Sequence, residues 1–362
     1  MRVAERWDAF WFAEASLVRL ALIRIVVYAL ALSDVIAYSF TAFADAGAVT
    51  AGTQAKVWKP IYLFDVLGLE PIGIDTARAV FLAALVAHGA SIAGLFTRLA
   101  TPLAALLSIY WTGLVYSFGK VHHDKVALAF ALCALAVSPC GARFSIDALI
   151  RRARSDRASP LTSPFAGLAI RVTQVTVALG YCAAGVTKLW VAGLEWMNGY
   201  TLMAMLMHYD NAGSEFVSRR VGLCRALSVF TVFVQASFPV VFVWPRARWF
   251  YLPAAVGFHL TTWWSMDTGP YITLWLLLVA FLPLERVPRW VASAWRDGAI
   301  GTASWRTVVC IAPTALVMRI LWYQFPAWTL LVAVPALAWI VRELARQPNP
   351  ALADPRGPTT SV

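Results

Sequence analysis

Hydrophobic positions along this chain do not form the narrow stripe of a water-soluble helix; they come in long, nearly unbroken runs separated by short polar breaks. A helix needs about 20 apolar residues to cross a hydrocarbon core of ~30 Å. Ten runs reach that length or come close to it, at residues 15–38, 78–97, 100–118, 124–141, 166–190, 222–244, 248–267, 269–285, 306–323 and 326–344. The pattern predicts an all-α fold, a polytopic transmembrane helical bundle of nine to ten helices, nine if the last pair is a re-entrant hairpin. Short links such as Thr97-Arg98 and Pro245-Arg246 force antiparallel neighbours. One transmembrane domain covers residues 1–346, and the polar tail 347–362 reads as disordered.

The breaks differ from one another. Residues 39–77 mix aromatic side chains with Lys56, Lys59 and Asp65 and read as an ordered cap on the bundle, whereas the Arg/Ser/Pro-rich stretch 141–165 reads as a mobile cytoplasmic loop. The first apolar run, interrupted by Arg19, Arg24 and Asp34, reads as a retained helix and not as a cleaved signal peptide.

Composition sharpens this picture in two ways. The chain is 60% hydrophobic, 14% charged and has a mean hydropathy of +0.68, which excludes an ordinary soluble domain. Its net charge of +11 would suggest nucleic acid in a soluble protein. Here the arginines sit in short breaks that alternate in position, so they read as topology signals and not as a nucleic-acid surface. Arg2 and Arg6, Arg98, residues 143–157, Arg246 and Arg248, residues 286–306, and Arg342 and Arg346 then share one side. That side is expected to be cytoplasmic, with both termini on it, in an integral protein of the bacterial inner membrane in contact with membrane lipids. Cys133, Cys140, Cys182, Cys224 and Cys310 form no CxxC pair and imply neither a disulfide framework nor a zinc site.

The candidate chemistry lies where ionisable residues interrupt apolar helices, because a charge at membrane depth is costly and so marks function by default. Lys188 stands near the end of the run 166–190, and Gln174, Tyr181 and Lys188 recur every seven residues on one face, with Gly185 beside them. That face is expected to look into protein. A lysine that merely reaches back to the interface is the competing reading. His122-His123-Asp124 opens the fourth run, His259 lies inside the seventh with Thr262, Trp263 and Asp267 following at helical spacing, and Glu195, Trp196 and Asn198 lie just beyond Lys188. These groups are expected to converge on one cavity in the outer leaflet. Desolvation disfavours an ammonium, which is how lysine is made a general base, and a histidine beside it can assist proton transfer. Arg24 and Arg319 are expected to pair with Asp34, a histidine or free carbonyls. No HExxH, Gly-rich phosphate loop or GxSxG elbow is present, and no metal is expected.

The stretch Ala184-Gly185-Val186-Thr187-Lys188-Leu189, followed by Trp196-Met197-Asn198-Gly199-Tyr200, resembles the AGVxKL and WxxGY elements of the vitamin K-dependent gamma-glutamyl carboxylases and the wider HTTM (horizontally transferred transmembrane) family. Tyr110-Trp111 leading to His123 resembles the family's histidine-containing turn, Phe144-Ser145-Ile146-Asp147 its SxD element, and Phe258-His259 through Pro283-Leu284 its FH and PL segment. The resemblance implies a membrane enzyme with Lys188 as the base that deprotonates a vitamin K hydroquinone-like quinol and His123 as its partner. Oxygen and carbon dioxide would be co-substrates. It further implies Tyr181, His122, His259 and Trp263 against the cofactor and Trp196, Asn198 and Asp267 against a peptide or small substrate. Three residues more than the carboxylases have separate Lys188 from Trp196, and Asn198 stands where WxxGY usually carries a carboxylate. Two alternatives follow: a non-catalytic HTTM protein, similar to the sporulation-delaying protein B group, that aids maturation or export of a secreted peptide, or a transporter.

Overall fold

Apolar runs of this length leave the backbone no partner but itself, and the chain accordingly folds as helices. The computed structural model describes residues 3–52, 57–119, 121, 124–154, 160–267, 276 and 279–286. Among them four helices are long and apolar enough to cross a membrane, and the expected spans 306–323 and 326–344, with most of 269–285, lie outside the described residues.

Helix α1 (Val3–Trp11) precedes α2 (Leu17–Ala37), whose N-terminus is capped by the Ser16 hydroxyl accepting from Arg19 N. Helix α2 is the hub: it is buried along most of its length and packs against α5 (Ile74–Ala93), α6 (Thr97–Phe118), α7 (Asp124–Ala136) and α9 (Pro164–Ala192). Between α2 and α5, α3 (Ser39–Thr50) and α4 (Tyr62–Val66) form the cap expected of this segment, with Phe64 buried against Tyr110 at 5.4 Å between ring centroids and Trp58 against Phe118 at 4.8 Å.

The segment 141–165 departs from expectation, because residues Ile146–Arg154 form an ordered helix, α8. Asp147 explains why. Its carboxylate accepts from Phe96 N at 2.8 Å and from Thr97 N and Oγ1 at 2.7 Å each, so it caps the start of α6, while its own N–H donates to Gly94 O at 3.0 Å. Gly94 ends α5 at φ +72°, and a Cβ there would lie 2.3 Å from Ser145 Cβ, so the α5–α6 turn and the start of α8 can close only on glycine. Burial alone would raise the Asp147 carboxyl, but the three hydrogen bonds outweigh it and hold the group below the usual carboxylate range. A depressed value stabilises the fold above the unfolded-state value of about 4 and is lost as pH falls through the folded one. Thermal unfolding in detergent from neutral pH to pH ~3 should show this acid loss, and Asp147→Asn should be less stable at neutral pH with a flatter acid limb.

Arg24 is fully buried on α2 and is held by carbonyls, as expected, donating to Cys140 O at 2.9 Å, to Ile92 O at 3.4 Å and to Phe144 O. It thereby satisfies the open ends of neighbouring segments. Asp34 is not its partner and pairs instead with Lys125 on α7 at 2.8 Å, both side chains being buried. Arg319 lies outside the described residues.

A two-residue antiparallel bridge, β1 (Ala15–Ser16) with β2 (Thr162–Ser163), ties the start of α2 to the start of α9. Helix α9 begins with Pro164 at its first turn and Ser163 as cap, and it ends at Gly193. A 3-10 turn at Gly193–Met197, α10 (Tyr200–Leu206) and α11 (Ala212–Ser218) then return the chain to α12 (Val221–Ser237). The run 222–244 breaks at Phe238-Pro239 into α12, which packs on α9, and the short α13 (Val240–Val243), and α14 (Arg248–Met266) packs on α11 and α12.

Candidate functional site

The expected face of α9 exists. Gln174, Tyr181 and Gly185 are buried and Lys188 is half-buried, while Leu179, Val186 and Trp190 on other faces stay exposed where lipid would lie. Two glycines bring α9 and its following turn onto α12. A Cβ at Gly185 would sit 2.4 Å from Ala236 N, and Gly199, at φ +93°, leaves only 2.7 Å to Arg225 N. Helices α9 and α12 therefore touch backbone to backbone at the turn next to Lys188. Gly185→Leu should force them apart and lower the thermal stability by about 1–3 kcal/mol, with any Lys188-dependent activity lost alongside; an unchanged melting temperature in detergent would refute this contact.

That contact sets what surrounds the lysine. Nζ of Lys188 donates to Gln235 Oε1 at 2.9 Å and to Ala184 O at 3.1 Å, and it lies 5.2 Å from the centroid of the Trp196 ring. The bond to Ala184 directs the amine one turn back along α9, not past the helix end as a lysine reaching for water at this end would point. Its partners are an amide oxygen, a carbonyl and an indole face, all neutral, and among the described residues no carboxylate pairs with it. Lys125 gives the contrast, because its ammonium meets the Asp34 carboxylate and lies 5.5 Å from the Tyr38 ring.

Two turns earlier on the same face, the Tyr181 hydroxyl and His259 Nε2 share a hydrogen bond of 2.7 Å, and the Tyr181 ring stacks on Phe238 at 4.6 Å. Phe238 is three residues from Gln235, so the Lys188 and Tyr181 groups share one seam between α9 and the α12–α14 layer. The seam continues through Gln174, whose amide donates to Ala280 O at 2.8 Å and accepts from Arg171 at 3.0 Å. Arg171 packs against the Phe10 ring at 4.5 Å.

The other predicted residues divide. Trp196 joins Lys188 as expected. Asn198 turns to its own segment: Nδ2 donates to Glu195 Oε2 at 2.9 Å and Oδ1 accepts from Tyr200 N at 2.8 Å, so it starts α10. Trp263 lies half-buried one turn after His259, but Asp267 does not continue that face. It stands beyond Met266 in the left-handed region at φ 47° and is exposed, because α14 has already ended. His122 and His123 lie outside the described residues.

Gln235 was not among the sequence candidates, since glutamine in an apolar run carries no charge to draw attention. His88 was also missed. It is fully buried in α5, sharing hydrogen bonds of 2.7 Å each with Ala84 O and Ser108 Oγ, and its ring meets Tyr28 edge-on. Compared with models of protein families, with curated proteins and with solved structures, the chain matches none.

Proposed function

We propose that this protein is a membrane enzyme of the HTTM, carboxylase-like type, in which Lys188 acts as a general base on a reduced quinone to modify a peptide or small substrate. One observation carries the reading: a lysine near the end of a membrane-length helix is held, among the described residues, by neutral groups only, with its amine turned back along the helix. A lysine without a counter-ion can exchange its proton, whereas one locked to a carboxylate serves structure. The surroundings fit a hydroxylated aromatic ring. The indole of Trp196 offers a flat face, Nζ of Lys188 can meet a hydroxyl oxygen, and Nε2 of Gln235 donates to no protein group among the described residues. When bound, a quinol supplies an acidic hydroxyl and, with oxygen, the stronger base that carbon dioxide addition needs.

The chain's own share is then limited to what its residues do. Lys188 takes the proton, Gln235 and Ala184 O fix the amine, and the Tyr181–His259 bond holds α14 against α9 behind them. The arginine distribution supports an orientation with both termini cytoplasmic and the Lys188 end of α9 outside, and cysteines placed at Ala153 and Asp210 should label from opposite sides of the membrane.

A second reading has its own support. Asn198 is engaged by Glu195 and Tyr200 N and Asp267 lies at a helix end, so two of the three groups expected to meet a substrate are not turned to the Lys188 site, as in an HTTM protein that aids maturation or export of a peptide without catalysis. The deciding experiment supplies the purified full chain with vitamin K hydroquinone, oxygen and bicarbonate and follows the quinol by chromatography. Conversion to the epoxide above the protein-free rate is expected; none at any tested pH would remove the enzymatic reading.

A further inference from the structure

Helix α8 carries a feature that the Lys188 site does not use. Its sequence, IDALIRRAR, ends in Arg151, Arg152 and Arg154, and Arg143 precedes it. The helix is fixed to the bundle at both ends of its first two turns, by Asp147 on the α5–α6 turn and by Arg151 Nη2 donating to Gly141 O at 2.7 Å. That turn joins two helices of membrane length, so it lies at the membrane surface on whichever side it faces, and α8 lies there with it. Phe96 and Leu99 at the turn and Ile150 on α8 are exposed, marking the apolar edge of that level.

Among the described residues of α8 and the α5–α6 turn, arginines outnumber the single carboxylate, Asp147. Arg143 lies close enough to Arg152 for burial first, and then this like charge, to push its guanidinium down from the ordinary value. Arg143 spends one N–H on Pro160 O at 2.9 Å, and Arg98 stands exposed beside the turn. The carboxylate of Asp147 on the same helix is engaged in capping α6. Arg152 and Arg154 are exposed and form no ion pair among the described residues. Like charges held together beside an apolar edge are relieved by an anion with hydrogen-bond acceptors, and the fork of a guanidinium matches phosphate oxygens. Basic helices lying in the interface bind anionic lipid in this way.

We propose that the arginines on and beside α8, Arg143 and Arg152 on one side of the helix and Arg154 on the other, bind the phosphate headgroups of anionic lipids in the leaflet that α8 faces.

The test uses the purified full chain in detergent, offered phosphatidylglycerol or phosphatidylcholine, with retained lipid counted by native mass spectrometry. The wild type should retain phosphatidylglycerol preferentially, and Arg152→Gln with Arg154→Gln should lose most of that preference, about fivefold per arginine, with an unchanged melting temperature. Arg78→Gln, an exposed arginine at the other end of α5, should keep it. Because exposed arginines do not hold the fold, Arg152→Lys provides a second check and should retain the preference in large part. Equal retention of the two lipids by the wild type, or an undiminished preference in the double variant, would overturn the site.

Discussion

Replacing Lys188 with arginine should abolish activity almost as completely as replacing it with alanine, a loss on the order of 10²–10⁴-fold for a general base. Arginine keeps the charge and can still reach Gln235 Oε1 and Ala184 O, but it does not give up its proton at physiological pH. A lysine needed only as a cation gives the opposite result, with arginine substituting well and alanine poorly. Gln235→Glu separates the two further. It conserves size and acceptor while supplying a counter-ion of the kind Lys125 has in Asp34, so it should impair a base and leave a structural cation unharmed. The assay is quinol conversion or complementation of a deletion strain, with folding checked by melting in detergent. Full activity in a folded Lys188→Arg protein would end the base hypothesis.

The largest structural effect should come from Asp34. Asp34→Ala leaves the Lys125 ammonium in a buried site between α2 and α7 without its carboxylate, and losing one member of a buried pair costs about 3–5 kcal/mol. The pair ties the hub helix to α7, so the loss should appear as a lower yield of folded protein and a lowered melting temperature. The double change Asp34→Leu with Lys125→Met removes both charges and should recover most of that loss, because apolar pairs of similar volume replace buried ion pairs at little cost. A double variant no better than Asp34→Ala would show that the two residues do not act as a pair.

What could be read in the sequence follows from which physical signals are local. Helices of membrane length need only a count of apolar residues, and the seven-residue spacing of Gln174, Tyr181 and Lys188 placed all three on the face that meets protein. For Arg24 three partners were open, Asp34, a histidine or free carbonyls, because a buried guanidinium must find acceptors but the sequence does not show which; the carbonyls hold it. Partners across helices were less legible. Lys125 is separated from Asp34 by 91 residues, and His88 from Ser108 by 20, so nothing in either neighbourhood shows the match. Helix α8 was missed because its arginines and the Ser/Pro-rich residues after it resemble a loop, while its stability comes from Asp147 capping a helix 50 residues earlier. Asp267 was misplaced because helical spacing was extended one residue past the end of α14, and only the left-handed backbone there shows that the helix has stopped.

Arg24 also bears on how the molecule is made. Its carbonyl partners at Cys140 and Phe144 lie 116 and 120 residues further along the chain. At a synthesis rate of roughly 5–20 residues per second, those acceptors follow Arg24 out of the ribosome after about 6–24 s. During that interval the helix that becomes the centre of the bundle carries a guanidinium for which only one of its three acceptors, the Ile92 carbonyl 68 residues further on, has emerged. A stay of that length in bare hydrocarbon is unfavourable, so the first helix must wait at the headgroups or within the insertion machinery until α7 and the start of α8 emerge. Helix α2, synthesised before the helices that surround it, is thus among the last of them to take its final place.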